Sequence, residues 1–195
     1  MRRTVGWLLL LGLAVMLSGC VAGSLHPLYT DKDLIFDPGL VGKWQEIDQN
    51  DAAPWTFTRG EDETYTLTAE WKTDEEDMER SVCEAHLVNL GMYTFLDTYP
   101  SPTEAAKGVI ERYDYIGLHD QYLVKREEDV LRLATLNDDW LEEQILEGDL
   151  RPRIAVLEQD THVLIGTTRE LRRFFAYAAA DPDAFTEFAV LKRVK

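Results

Sequence analysis

Cysteine is scarce in this sequence: 195 residues contain two, Cys20 and Cys83. Positive charge is scarce too, with 20 lysines and arginines against 36 aspartates and glutamates, for a formal net charge of -16. A surface of that sign repels phosphate backbones, which excludes nucleic-acid binding as a function class. The chain also lacks the short motifs that specify a chemistry. There is no Gly-x-Ser-x-Gly elbow, no His-Glu-x-x-His pair and no glycine-rich phosphate loop. The acidic clusters at 61–63, 74–79 and 138–139 lack the alternating ligands and central glycine of a calcium loop. Cys83-Glu84-Ala85-His86 supplies two of the four ligands a structural zinc needs, and no second cysteine for haem attachment. Cys83 is therefore expected to be a small apolar thiol within a strand, and no metal or cofactor is expected. Neither repeats nor low-complexity tracts occur, and 45% hydrophobic composition argues against disorder.

One long apolar run is present, at the N-terminus. Arg2 and Arg3 are followed by an apolar, leucine-rich stretch from Thr4 to Leu17, then by Ser18 and Gly19. That order of charge, apolar segment and small residues is the order of a secretory signal peptide. The run is shorter than the roughly 20 residues needed to cross about 30 Å of hydrocarbon, and Pro27 follows soon after it. Leu17-Ser18-Gly19-Cys20 resembles the lipobox of bacterial lipoproteins. The resemblance implies cleavage between Gly19 and Cys20, a diacylglyceryl group on the Cys20 sulfur, and often a further acyl chain, such as palmitate, on the new amino terminus. Each buried methylene contributes about 0.8 kcal/mol, so two or three chains hold a protein firmly on a membrane. Neither Val21 nor Ala22 is the aspartate that marks inner-membrane retention in enteric bacteria. By that analogy the expected location is the cell envelope, anchored to the outer membrane and facing the periplasm or the surface. Loss of the leader removes two arginines and no acids, taking the formal charge from -16 to -18. Electrostatic docking onto anionic lipid is thereby disfavoured, which leaves the covalent anchor as the attachment. With Cys20 so used, Cys83 has no disulfide partner within the chain.

Three segments follow from this: 1–19 a signal peptide, 20–40 an acylated tether, and 41–195 a single β-rich domain. The tether contains Pro27, Pro38 and Gly39, but Leu28, Tyr29, Ile35 and Phe36 are too apolar for a solvated linker, so part of it is expected to dock on the domain. Beyond it the period becomes two. Tyr65, Leu67, Ala69 and Trp71 alternate with threonines and Glu70, the pattern of a half-buried strand. Similar runs occupy 41–47, 55–59, 80–90, 92–98, 119–126, 130–136, 154–157, 162–165 and 188–194. Short acidic or glycine turns separate several of them, which favours antiparallel pairing because a parallel crossover needs about a dozen residues or more. Asn137 is placed to cap a first helix with Trp140, Leu141, Gln144 and Ile145 on its inner side and Gly148 at its end. Thr167 and Glu170 form a capping box for a second, whose stripe is Leu171, Phe174, Phe175 and Ala178. The expected fold is mainly β, within the α+β class: an antiparallel barrel or strongly curved sheet with two short helices at an edge or mouth.

Gly42-Lys43-Trp44 resembles the Gly-x-Trp motif that opens lipocalin-like barrels, and the late helix followed by a short strand has the same order. The resemblance implies that Trp44 packs across a closed end and that the open end holds an apolar ligand. The stretches Ser24–Thr30 and Asp33–Trp44 also resemble bacterial lipoproteins of unassigned activity. Candidate ligand-binding residues are Trp44, His86, His119 and Tyr122. If both histidines point into a barrel they can orient a polar group or share a metal; a hydrogen-bonded structural role is the simpler reading for each. Three functions stay open: a membrane-anchored lipoprotein that holds a small apolar ligand or lipid, an accessory or assembly module that binds another envelope protein through its surface, and an enzyme in which His86 or His119 meets a carboxylate inside a pocket. The anchor has a direct test. Cys20→Ala should leave the membrane pellet and accumulate unprocessed or soluble, with loss of the acyl mass by intact-protein mass spectrometry.

Overall fold

The computed structural model describes residues 21–30, 32–47, 53–72, 78–101, 117–147, 152–156 and 161–194. The leader, Cys20, the acidic turn at 74–77 and Gly148 lie outside the described residues. In chain order the elements are β1 (Val21–Ser24), β2 (Leu34–Ile35), β3 (Gly42–Glu46), β4 (Trp55–Arg59), β5 (Tyr65–Lys72), β6 (Met78–Leu90), β7 (Tyr93–Pro100), β8 (Asp120–Glu127) and β9 (Val130–Leu136). Then come α1 (Asp138–Glu147), β10 (Ile154–Val156), β11 (His162–Leu164), α2 (Thr168–Ala178) and β12 (Phe185–Arg193).

Strands β3 to β9 form an up-and-down meander in which each pairs antiparallel with the next. β12 inserts between β9 and β3 and closes the ring, giving an eight-stranded antiparallel barrel. The tight turns explain the meander. Asp62, Glu63 and Glu128 take the left-handed conformation between β4 and β5 and between β8 and β9, and Gly91 does so between β6 and β7. β7 starts one residue later than its sequence pattern suggests, because Met92 belongs to the turn, and it runs on to Pro100. β12 starts earlier, at Phe185. An irregularity between Glu187 and Ala189 shifts its alternation and hides the first half of the strand from a period-two reading.

Alternation sorts the apolar side chains into two cores. Trp44, Phe57, Tyr65, Leu67, Ala85, Leu87, Leu96, Leu131, Leu133, Ala189 and Leu191 fill the interior together with Leu40. Val88, Leu90, Phe95 and Leu136 belong to the opposite faces of the same strands and pack with α1 and α2. The helices therefore cover the outer wall. α2 carries the capping box between Thr167 and Glu170 and buries Leu171, Phe174, Phe175 and Ala178. α1 buries Trp140, Leu141 and Gln144, and the Asn137 side chain accepts the Asp139 amide at 3.1 Å.

Segment 21–40 is part of this fold. β1 runs parallel to β11, which pairs with β10, so the N-terminal strand joins a small sheet completed some 140 residues later. β2 pairs with the end of β6 at Val88 and Leu87. Leu28 and Leu40 are fully enclosed. Gly23, at φ 98°, has no room for a Cβ against the His119 carbonyl, which lets β1 form its two hydrogen bonds to His119, each 2.8 Å.

One end of the barrel is sealed around Trp44, which is 0% exposed. Its indole N–H donates to the Leu40 carbonyl at 2.8 Å, and the Arg193 guanidinium lies over the ring at 4.3 Å. Arg193 also donates to the carbonyls of Val41 and Gly39. Gly42 adopts φ 138° and would press a Cβ into that guanidinium, which accounts for the glycine of Gly-Lys-Trp. Phe36 stacks on Tyr65 at 5.0 Å, the Tyr65 hydroxyl accepts the Asp37 amide at 2.6 Å, and Asp37 pairs with Arg126 at 2.8 Å. Truncating Trp44 to alanine removes a large ring that cannot be replaced by water. Trp44→Ala should cost about 3–5 kcal/mol of stability, read as a lower urea midpoint by intrinsic fluorescence and far-UV circular dichroism.

Candidate binding sites at the barrel mouth and on its outer wall

The end opposite Trp44 is where β8 and β9 separate. Their register runs from Glu127↔Val130 to Leu123↔Ala134 and stops there, so the N-terminal part of β8 and the C-terminal part of β9 diverge. Between them is a hollow of about 260 Å³ bounded by Asp120, Tyr122, Thr135, Leu136, Asp138, Phe188 and parts of β1 and α2. Tyr122 pairs in register with Leu96, an interior residue, so its ring is on the inner face. It lies 5.4 Å from Phe188, which lies 6.3 Å from Trp55. Phe188 is 51% exposed despite belonging to this aromatic row. Burial, with Asp120 next in effect, pushes the Tyr122 hydroxyl above its usual range. Crowding by protein, reinforced by Asp97, pushes the Asp120 carboxyl up to about 6. The mouth thus offers three aromatic faces, a neutral phenol and a carboxyl that becomes fully charged only above about pH 6. Its chemistry is that of binding: apolar contact with a few polar groups that set orientation. A second hollow, of about 220 Å³, lies at the sealed end between Ile35–Leu40 and the interior residues Leu87, Thr94, Val124 and Leu131.

The sequence-derived candidates separate in space. Tyr122 lines the mouth. Trp44 is sealed into the opposite end, with ring and N–H both engaged. His86 pairs with Asp97 across β6 and β7, on the face opposite to Leu87 and Leu96. His86 and His119 accordingly belong to the outer wall, beneath the N-terminal segment, and not to the barrel interior.

There they join a buried polar cluster. Asp97, 0% exposed, receives His119 Nδ1 at 2.7 Å on one oxygen and the Leu28 amide at 2.8 Å on the other. Gln121 donates to Ser24 Oγ at 2.7 Å and to the His119 carbonyl at 2.9 Å. Ser24 in turn donates to the His26 carbonyl at 2.6 Å. Tyr29 stacks on His86 at 4.1 Å, and Tyr99 packs on His119 at 4.6 Å. A carboxylate–imidazole pair is the geometry of a general base. None of the hollows at the mouth, the sealed end or α2 is lined by His119 or His86, however, and the Ser24 hydroxyl is already engaged. The cluster instead fixes 21–30 to the barrel wall. No group of three or more metal-ligating side chains occurs among the described residues, and no described helix is long and apolar enough to cross a membrane.

Sequence reasoning missed Asp97 and Phe188. Asp97 had a signal: an acid in the middle of Tyr93-Thr94-Phe95-Leu96-Asp97, where the strand is apolar on both faces, implies a buried partner. Phe188 had none, because its aim depends on the irregularity in β12. No family model, no curated protein and no solved structure matches this chain.

His86 gives a titratable consequence. Burial holds its imidazole below the ordinary 6.5, an effect aided by His119 and opposed by Glu84 and Asp97, and Nδ1 is buried without a hydrogen-bond partner. Below 6.5 the unfolded chain takes up a proton that the folded chain resists. The contribution to stability is complete above that pH and is lost as pH falls. His86→Phe keeps the stack on Tyr29 and removes the titration. Urea midpoints measured from about pH 5 to 8 should fall less on acidification in the variant than in the wild type.

Proposed function

We propose that this protein is an envelope lipoprotein, anchored through Cys20, that takes a small amphipathic ligand into the mouth of its barrel. The observation that carries the ligand reading is Phe188. A large apolar side chain left 51% exposed, in line with Tyr122 and Trp55 beside a hollow of about 260 Å³, is a surface suited to apolar contact. Much of the interior is filled by its own side chains, and the hollow at the sealed end is smaller than the one at the mouth, which favours a ligand that sits at the mouth. The anchor reading rests on the leader and on the lipobox. The next residue, Val21, already begins β1. An acylated Cys20 would thus hold the barrel directly at the bilayer surface, with no slack linker between.

A second reading draws on the filled interior. A barrel whose core is mostly its own side chains is also a rigid platform for binding another envelope protein through its surface. The probe N-phenyl-1-naphthylamine separates the two. Titrated into the purified chain, it should bind saturably at one site, and Phe188→Asp should weaken it about tenfold, the loss expected for one aromatic contact of about 1.5 kcal/mol. Binding that is absent, or equal in wild type and variant, removes the ligand reading and leaves the surface one.

A further inference from the structure

A further hollow lies neither in the barrel nor at the polar cluster. It measures about 630 Å³ and lies between the N-terminal segment and α2, lined by His26, Thr30, Asp33, Thr168, Arg169, Arg172 and Arg173. Its charge runs against the rest of the molecule. In a chain of net charge -16, three guanidinium groups and one carboxylate are among the described residues that line it, with the Glu170 carboxylate beside them on Thr167.

The three arginines differ in their engagement. Arg172 is tied into the fold, donating to the Leu28 carbonyl at 2.9 Å and pairing with Asp33 at 3.0 Å. Asp33 is further held by the Thr30 hydroxyl at 2.7 Å and the Thr30 amide at 3.0 Å. That carboxylate is spent on the wall. Arg169 and Arg173 are exposed, and neither has a carboxylate within 4.0 Å among the described residues, although Arg169 is close enough to Glu170 to help hold that carboxyl below its usual range. They stand four residues apart on one helix, hence on one face. Elsewhere Arg80, Arg126, Arg132, Arg153 and Arg193 each have a carboxylate within 4.0 Å. The first turn of α2 is not the source of attraction, because the Glu170 carboxylate already sits there, accepting the Thr167 amide and hydroxyl in the capping box.

We propose that this hollow binds a phosphate-bearing ligand, with Arg169 and Arg173 gripping the phosphate oxygens and Arg172 holding the wall behind them. Guanidinium groups present planar forks of N–H donors that match phosphate oxygens two at a time. A carboxylate has one charge and two oxygens, whereas two exposed forks on one wall suit a group with more of both. Thr30, Thr167, Thr168 and His26 are the other polar residues described around the opening. The volume takes a phosphorylated small molecule or a lipid headgroup. The site is independent of the mouth: it shares no lining residue with the hollow at Tyr122.

The test uses the full chain purified in non-ionic detergent, titrated at constant ionic strength and monitored by calorimetry. Inorganic phosphate is one probe, and micelles doped with phosphatidylglycerol or with phosphatidylcholine are the other. Saturable binding of either phosphate source, weakened about tenfold or more in Arg169→Gln/Arg173→Gln, supports the site. Response to free phosphate assigns it to soluble phosphorylated ligands, and response only to phosphatidylglycerol micelles assigns it to headgroups. Both replaced arginines are exposed and have no carboxylate within 4.0 Å among the described residues, so the variant should keep the wild-type melting temperature without ligand. Failure of every probe to bind, or equal binding by the double variant, overturns the proposal.

Discussion

The barrel exists because β12 returns to β3, and that seam is short. Leu191↔Glu46, Lys192↔Gln45 and Arg193↔Trp44 define its register, and the bonds from the Ile47 amide to the Val190 carbonyl and from the Val194 amide to the Lys43 carbonyl extend it by one residue at each end. Backbone pairing over so few residues does little to fix a ring of eight strands. The seam is reinforced by Arg193, which covers the indole of Trp44 and donates to carbonyls of the segment leading into β3. Arg193 thereby ties the last strand, the first barrel strand and the plug at Leu40 into one unit. A cation over an aromatic face in a desolvated site contributes more than the same contact in water. Gly42 is where the backbone yields to make room for it.

Closure sets the second constraint. Once the strands alternate around a packed interior, their outer faces carry Val88, Leu90, Phe95 and Leu136, which need cover. α1 and α2 supply it, and their insertion between β9 and β12 delays the closing strand without preventing it. The N-terminal segment covers a neighbouring part of the wall in a different way. It brings polar backbone over a surface already holding Asp97, His86, His119 and Gln121, and each hydrogen bond there replaces one to water. The segment that begins at Val21 is thereby held to the barrel wall, so the anchor proposed at Cys20 would fix the orientation of the whole barrel.

Much of the architecture was legible in the residues. Strong alternation, as in Tyr65–Trp71, identified strands, the Thr167–Glu170 box identified α2, and short turns identified antiparallel neighbours. β1 and β2 were not legible, since strands of four and two residues carry no pattern and are held by partners distant in sequence. Of the mouth, Tyr122 was readable from its place in a strand. Phe188 and the parting of β8 from β9 were not, because an irregular register leaves no mark on composition. The arginine hollow was invisible for a related reason: Thr30 and Arg169 are neighbours only after β1 has docked beside β11.

The sequence alone determined the sign of the charge and the class of fold. Each depends on residue identity or on short-range period, which no folding changes. Tertiary structure decided which histidines face outward, which aromatic ring stays open to solvent, and where three arginines meet in an acidic chain. Those outcomes depend on register and on contacts across more than a hundred residues, where a shift of one position in a strand exchanges inside for outside.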